Sequence, residues 1–298
     1  MRIITRADFD GVVCAALIRE VEDITEPIAW VEPGDMQNDR VAVGPTDIIA
    51  NLPYHENCAL WFDHHFTNEL DRPFKGAFWI APSAARVIFD YYKGRFKRDY
   101  TELVRQTDKI DAADLTEDEV LYPENYPYIL LSMTVSNRGS ADEPYWNQLV
   151  DQLGQYGIET VMQDAEVKRR CAKAIEQNVN FRKILQERTR VLGQVAVTDL
   201  RSFFPPPSGN RFLAYSLFPQ TVVSLTLRRS SQDPNVIVAN VGHSIFNRNC
   251  KVNLGLMLSE FGGGGHRGAG SCRFPLEGSD AGIARLIDIL VKNEPNEP

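Results

Sequence analysis

Short apolar runs at residues 1–5, 47–50 and 59–62 alternate with helical patterns at 12–21 and 84–92, and two of those runs break off into chemically loaded segments. The first is followed by Arg6-Ala-Asp-Phe-Asp-Gly11 and the third by Asp63-His64-His65. Apolar runs alternating with helices predict a parallel α/β sheet. In open sheets of this kind ligands bind beyond the carboxyl ends of the strands, where both acidic segments are expected to lie.

A chain of 298 residues, 43% apolar and 24% charged, exceeds the usual size of one domain. Residues 160–192 contain no proline, and Val167, Cys171, Ile175 and Val179 recur every four residues, which predicts a long linking helix. Its cations Lys168, Arg169, Arg170 and Lys173 read as a solvated face. Further apolar runs at 193–197, 212–217, 222–228 and 236–241, interrupted by the turn-forming Pro205-Pro206-Pro207-Ser208-Gly209, predict a smaller α/β domain. The expected division is residues 1–185, including the linking helix, and 193–298. No internal repeat is present, and residues 293–298 read as a disordered tail.

The net charge of −8 disfavours a surface that coats nucleic acid through bulk electrostatics, while leaving room for local cationic sites. Five scattered cysteines make neither a disulfide framework nor a CxxC metal site. Without a membrane-length apolar run or a basic leader, the expectation is a soluble, unexported, cytoplasmic protein with no membrane partner.

Asp8 and Asp10, two residues apart on a turn, can face neighbouring cations, and hard oxygen ligands suit Mn²⁺ or Mg²⁺. His64 and His65 are adjacent, and Asp108, Asp111 and Asp114 recur every three residues along one side of a helix or turn. One of these acids can complete a metal site; capping and solvation are the plainer roles. In Phe261-Gly-Gly-Gly-Gly-His-Arg-Gly-Ala-Gly270 the backbone N–H groups around Gly264 and Gly265 are expected to form an anion-binding nest, with His266 and Arg267 as added donors. Upstream, His243, Asn247, Arg248 and Lys251 supply more donors for a shared phosphate site.

Taken in order, DFDG, DHH, TDKIDAAD and GGGGHRGAG resemble the DHH phosphoesterase family with its associated C-terminal domain, in wording closest to the exopolyphosphatase-like subgroup, and the resemblance covers nearly the whole chain. It implies Mn²⁺, with Mg²⁺ as the alternative, a hydroxide nucleophile, and a C-terminal site that fixes the substrate's phosphate. Carried over, Asp8, Asp10, His64 and Asp108 become metal ligands, with Asp111 as the alternative to Asp108. Asp63 and His65 support catalysis, Asp63 by orienting His64. Asn247, Arg248, Gly264, Gly265 and His266 bind substrate.

Two positions depart from the family pattern. Arg6 stands where a histidine ligand is usual, and Asn51 stands where a bridging aspartate is expected, with Asp47 as a substitute. Arginine is no ordinary metal ligand and a neutral amide bridges two cations poorly, so both one ion and two remain open. Arg6 is then a candidate phosphate clamp. The resemblance implies a metal-dependent phosphoesterase acting on a short oligonucleotide, nucleotide or polyphosphate, with short single-stranded nucleic acid among the candidate partners. The alternative is a degenerate relative that binds nucleotide or polyphosphate without hydrolysing it. A homodimer is expected only from family habit, and no stacking motif tells whether a base is read.

Overall fold

The computed structural model describes residues 1–135 and 140–297. The chain falls into two compact units, Met1–Leu115 with Glu124–Ala172, and Thr116–Pro123 with the chain from Lys173 onward.

In the first unit, β1 (Arg2–Thr5), β2 (Ala29–Trp30), β3 (Asp47–Ala50), β4 (Leu60–Asp63) and β5 (Gly76–Phe78) form a wholly parallel sheet in the order β2-β1-β3-β4-β5. Neighbouring side chains on a strand point to opposite faces, yet Ile3, Ile4, Ile48, Ile49, Trp61 and Phe62 are all fully buried. Both faces are therefore covered, which is why these strands read as continuous apolar runs rather than alternating ones. Helix α1 (Phe9–Val21) is buried from Phe9 to Ile18 and packs against α2 (Ala84–Tyr91), α3 (Thr101–Asp111) and α4 (Glu143–Gln155).

The expected long helix is α5 (Ala165–Arg188), which passes from the first unit to the second at Ala172. Its buried stripe is not the expected one. Val167, Cys171, Ala174, Asn178 and Leu185 are buried, whereas Ile175 is only partly so and Val179 is 48% exposed. A four-residue spacing overshoots the 3.6-residue turn, so a strict i+4 series drifts off the buried face. Arg169 and Arg170 pair with Glu166, and Arg170 also with Asp142, as a solvated face would.

In the second unit, β6 (Thr189–Leu192), β7 (Val195–Asp199), β8 (Val223–Arg229), β9 (Val236–His243), β10 (Gly264–His266) and β11 (Ala269–Pro275) form a mixed sheet in the order β10-β11-β9-β8-β7-β6. Only β7 and β8 pair in parallel. Helices α6 (Leu254–Ser259) and α7 (Ser279–Lys292) contribute Met257, Leu258, Leu286 and Leu290 to its core. The expected disordered tail is tied down. Asn293 Oδ1 accepts from the Lys251 amide at 2.8 Å and Asn296 Oδ1 from the Asn253 amide at 2.6 Å; Pro298 lies outside the described residues. No helix among the described residues is long and apolar enough to cross a membrane, and the five cysteines are free.

The corrected stripe has a direct check in urea denaturation. Val167→Ala is expected to cost about 2 kcal/mol as a buried truncation, and Val179→Ala no more than about 0.5 kcal/mol as a surface change.

Candidate metal centre and glycine-rich hairpin

The turn from β1 into α1 is built around Asp8. It caps α1, its Oδ1 accepting from the Gly11 amide at 2.8 Å, and Gly11 is required because a Cβ there would lie 2.0 Å from the Arg6 carbonyl oxygen. The same Oδ1 accepts from Asn51 Nδ2 at 3.0 Å, and Arg6 Nη1 stands 3.3 Å from Oδ2. Asn51, just past β3, is buried with φ of 57°, a left-handed conformation that asparagine tolerates better than most residues. Arg6 Nε is buried without a hydrogen-bond partner among the described residues. Asp47 lies at the opposite end of β3, paired with Arg2.

Asp10 is almost wholly buried, and its carboxylate is received by the amino end of α2. Oδ2 accepts from the Ala84 amide at 2.8 Å and Oδ1 from the Ala85 amide at 2.9 Å. The unpaired N–H groups of a helix start suit a carboxylate. Even so, burial, and after it the charge of Asp8, push the Asp10 pKa up to about 7.

His64 leaves β4 with its Nδ1 2.9 Å from the Ala81 carbonyl oxygen. A carbonyl only accepts, so Nδ1 carries the proton and Nε2 presents a lone pair. That Nε2 is buried without a hydrogen-bond partner among the described residues, 3.4 Å from Asp111 Oδ2 and 3.9 Å from Asp10 Oδ2. Asp10, His64 and Asp111 each offer a ligand atom within 4.8 Å of the others. Burial and then the charges of Asp10 and Asp8 raise the Asp111 pKa as well. A lone pair facing two carboxylate oxygens is repulsive unless a cation or proton lies among them, so these side chains fit a divalent ion.

The remaining expected residues are arranged differently. Asp108 accepts from Ser83 Oγ at 2.7 Å and from Arg86 Nε and Nη2 at 2.9 and 2.6 Å, outside the Asp10, His64 and Asp111 group. Ser83 in turn caps α2, so Asp108 steadies the helix start that receives Asp10. Asp63, fully buried, holds His65 rather than His64. Its Oδ1 is 2.8 Å from His65 Nδ1 and its Oδ2 accepts from Asn68 at 2.6 Å. This hydrogen bond raises the His65 pKa. Asp63, His64 and His65 also form a compact group of potential ligands. Sequence reading passed over Ser83, Arg86 and the Ala81 carbonyl; of these only Ser83 carried a signal, as a cap ahead of an apolar helical pattern. A cavity of about 780 Å³ in this unit, lined by Val43, Pro45, Tyr54, Cys58, Phe74 and Lys75 among others, contains none of these side chains.

In the second unit the glycine run leads into the edge strand β10 of a hairpin, with Gly264 opposite Ser271, Gly265 opposite Gly270 and His266 opposite Ala269. The backbone expected to form a nest at Gly264 and Gly265 is thus in a strand, and several glycines of the run have a packing reason. A Cβ on Gly263 would lie 2.3 Å from the Ser271 carbonyl oxygen, and one on Gly265 2.3 Å from that of Ala269. Gly264, by contrast, has open space around it. Gly264, Gly265 and His266 are exposed, as is Arg248, whose Nε donates to the Ile245 carbonyl at 3.1 Å; Asn247 is half-buried and accepts from Asn249 at 2.7 Å. His243 and Arg267 are already engaged: His243 Nε2 lies 2.9 Å from the Val252 carbonyl oxygen, and Arg267 pairs with Glu297. Burial, helped by the Arg267 charge, lowers the His243 pKa.

No family model and no curated protein matches the chain. Among solved structures, the pGpG-specific phosphodiesterase PggH from Vibrio cholerae is 33% identical, covers 98% of this chain and 99% of its own, and superposes with a TM-score of 0.84. An exopolyphosphatase-related protein from Bacteroides fragilis (11% identity, 98% and 91% coverage, TM-score 0.53) shares the fold. So does exonuclease RecJ bound to manganese (11% identity, 99% and 90% coverage, TM-score 0.52).

Two outcomes follow from this geometry. Because Asp10 in the folded chain keeps its proton to about pH 7 while the unfolded chain releases it near 3.8, metal-free protein loses stability as pH rises through that interval. The raised His65 acts in the same sense, its stabilisation present below the unfolded value and lost as pH climbs through the folded one. The Tm of chelator-treated protein is therefore expected to fall from about pH 5 to about pH 8, and Asp10→Asn to flatten the trend. In the hairpin, Gly263→Ala should cost about 1–3 kcal/mol or more by thermal unfolding, and Gly264→Ala no more than about 0.5 kcal/mol.

Proposed function

The chain belongs to the DHH phosphoesterase family, and from that premise we propose that it is a divalent-metal-dependent phosphodiesterase of short phosphorylated substrates, foremost a dinucleotide such as pGpG. The observation that carries the metal dependence is the buried His64 Nε2, without a hydrogen-bond partner among the described residues and facing Asp10 and Asp111. Asp10, His64 and Asp111 would hold the ion, with Asp8 beside them, and the mixed carboxylate and imidazole donors suit Mn²⁺, with Mg²⁺ as the alternative. When bound, such an ion supplies Lewis-acid polarisation of a phosphoryl oxygen and activation of the attacking water.

The chain's own side chains do the rest. The Nδ1 to Ala81 contact keeps the His64 lone pair on Nε2. His65, with its affinity for a proton raised by Asp63, holds a proton at Nε2 for the oxygen that leaves phosphorus as the ester bond breaks. Arg6, part-exposed beside Asp8, clamps a phosphoryl oxygen. In the second unit, the exposed edge at Gly264, Gly265 and His266, with Asn247 and Arg248, offers N–H and cationic donors suited to a phosphate. On this reading the first unit bears the metal and the second binds substrate.

The contacts of Arg6 and Asn51 with Asp8 favour a second reading, a nucleotide-binding protein that no longer hydrolyses, because they occupy a carboxylate that a second ion would need. Elemental analysis together with pGpG hydrolysis in added Mn²⁺ separates the two. The expected result is bound metal and Mn²⁺-dependent release of GMP; bound nucleotide without turnover, restored in the combined Arg6→His and Asn51→Asp variant, would establish the binding protein. Asp111→Asn and His64→Ala should lower metal affinity by at least the roughly 100-fold that losing even an outer partner of a ligand can cost. Asp108→Asn should retain the metal and lower Tm.

A further inference from the structure

We propose that Phe66 and Trp79 form a nucleobase-stacking platform beside the Asp10, His64 and Asp111 group, making the preferred substrate a base-bearing phosphodiester rather than a bare phosphate chain; this rests on the phosphodiesterase reading above. Strands β4 and β5 are parallel and in register, Asp63 opposite Phe78, so their continuations leave the sheet side by side at the same edge. His64, His65 and Phe66 follow one strand and Trp79, Ile80 and Ala81 the other. The contact between His64 Nδ1 and the Ala81 carbonyl, 2.9 Å, keeps the two segments together beyond the last paired residues.

What these segments present is unusual for a surface. Phe66 is 63% exposed, Ile80 72% and Trp79 38%, within two residues of His64 or of the Ala81 that orients it. Within the strands themselves the pattern reverses, with Phe62 wholly buried and Phe78 stacked on Trp61 at 5.4 Å and 6° between ring planes. The aromatics thus change from core to solvent as the chain reaches the candidate metal group. Large apolar side chains left exposed on two adjoining segments, where hydrophobic burial does not explain them, mark a contact surface. The neighbouring chemistry says what it contacts: a phosphodiester presented to the metal group carries its bases a few ångströms from the scissile phosphorus, and every base has a π-face to lay on an aromatic ring. Inorganic polyphosphate has none. With a net charge of −8 the chain has little bulk attraction for polyanions, which leaves stacking as a larger share of recognition.

The test uses the full chain in Mn²⁺ with pGpG and with an abasic dinucleotide of the same sugar-phosphate backbone. The ratio of kcat/KM for pGpG to that for the abasic analogue should fall about tenfold in Trp79→Ala and in Phe66→Ala, through KM for pGpG, and Trp79→Phe should recover it. An unchanged ratio in both alanine variants, or equal losses on both substrates, would overturn the platform. If the wild-type chain hydrolyses neither substrate, the phosphodiesterase reading fails on its own, and the platform is judged by binding. Quenching of tryptophan fluorescence by pGpG that is strongly reduced in Trp79→Phe supports it, and undiminished quenching in that variant refutes it.

Discussion

The candidate centre depends on one interaction, the reception of the Asp10 carboxylate by the amide groups that open α2. Burying a carboxylate is costly unless hydrogen bonds replace its water, and two N–H groups at a helix start do so with fixed geometry. They do not remove the cost, since the Asp10 pKa remains well above the ordinary carboxylate range. The residual unfavourable energy makes the place receptive to a cation. Asp108, Ser83 and Arg86 act one step further out, holding the helix start in position without entering the group themselves.

Much of this was legible in the sequence because strand ends are legible. Apolar runs that stop at Thr5 and Phe62 placed Asp8, Asp10 and His64 at one sheet edge from pattern alone, and all three follow the carboxyl ends of β1 and β4 in the fold. The choice between Asp108 and Asp111 was not legible. Three residues apart on a helix, they share roughly one side, and only the tertiary partners differ: Arg86 and Ser83 claim one while His64 faces the other. The glycine run was ambiguous for a related reason. Composition announces that the backbone must come close to something, but not whether that is an anion or the neighbouring strand; at Gly263 and Gly265 it is the strand. Asp63 and His65 show the same limit, since adjacency in sequence cannot tell which histidine a buried carboxylate holds.

The two departures from the family pattern are coupled by charge. At Asp10 and Asp111 the charges of neighbouring carboxylates add to burial in raising proton affinity, as carboxylates crowded into one place do. Arg6 answers part of that crowding at Asp8, and Asn51 contributes an N–H donor to the same oxygen instead of adding another negative charge. With all three acids ionised, the three carboxylates and one guanidinium leave two negative charges, and the Asp63 and His65 pair adds none when His65 is protonated. On the proposed reading a single divalent ion brings this group to neutrality, whereas a second would leave an excess of positive charge beside the Arg6 guanidinium. A substrate phosphate, itself anionic, would be the group that balances such an excess, so any second ion is expected to arrive with the substrate rather than before it.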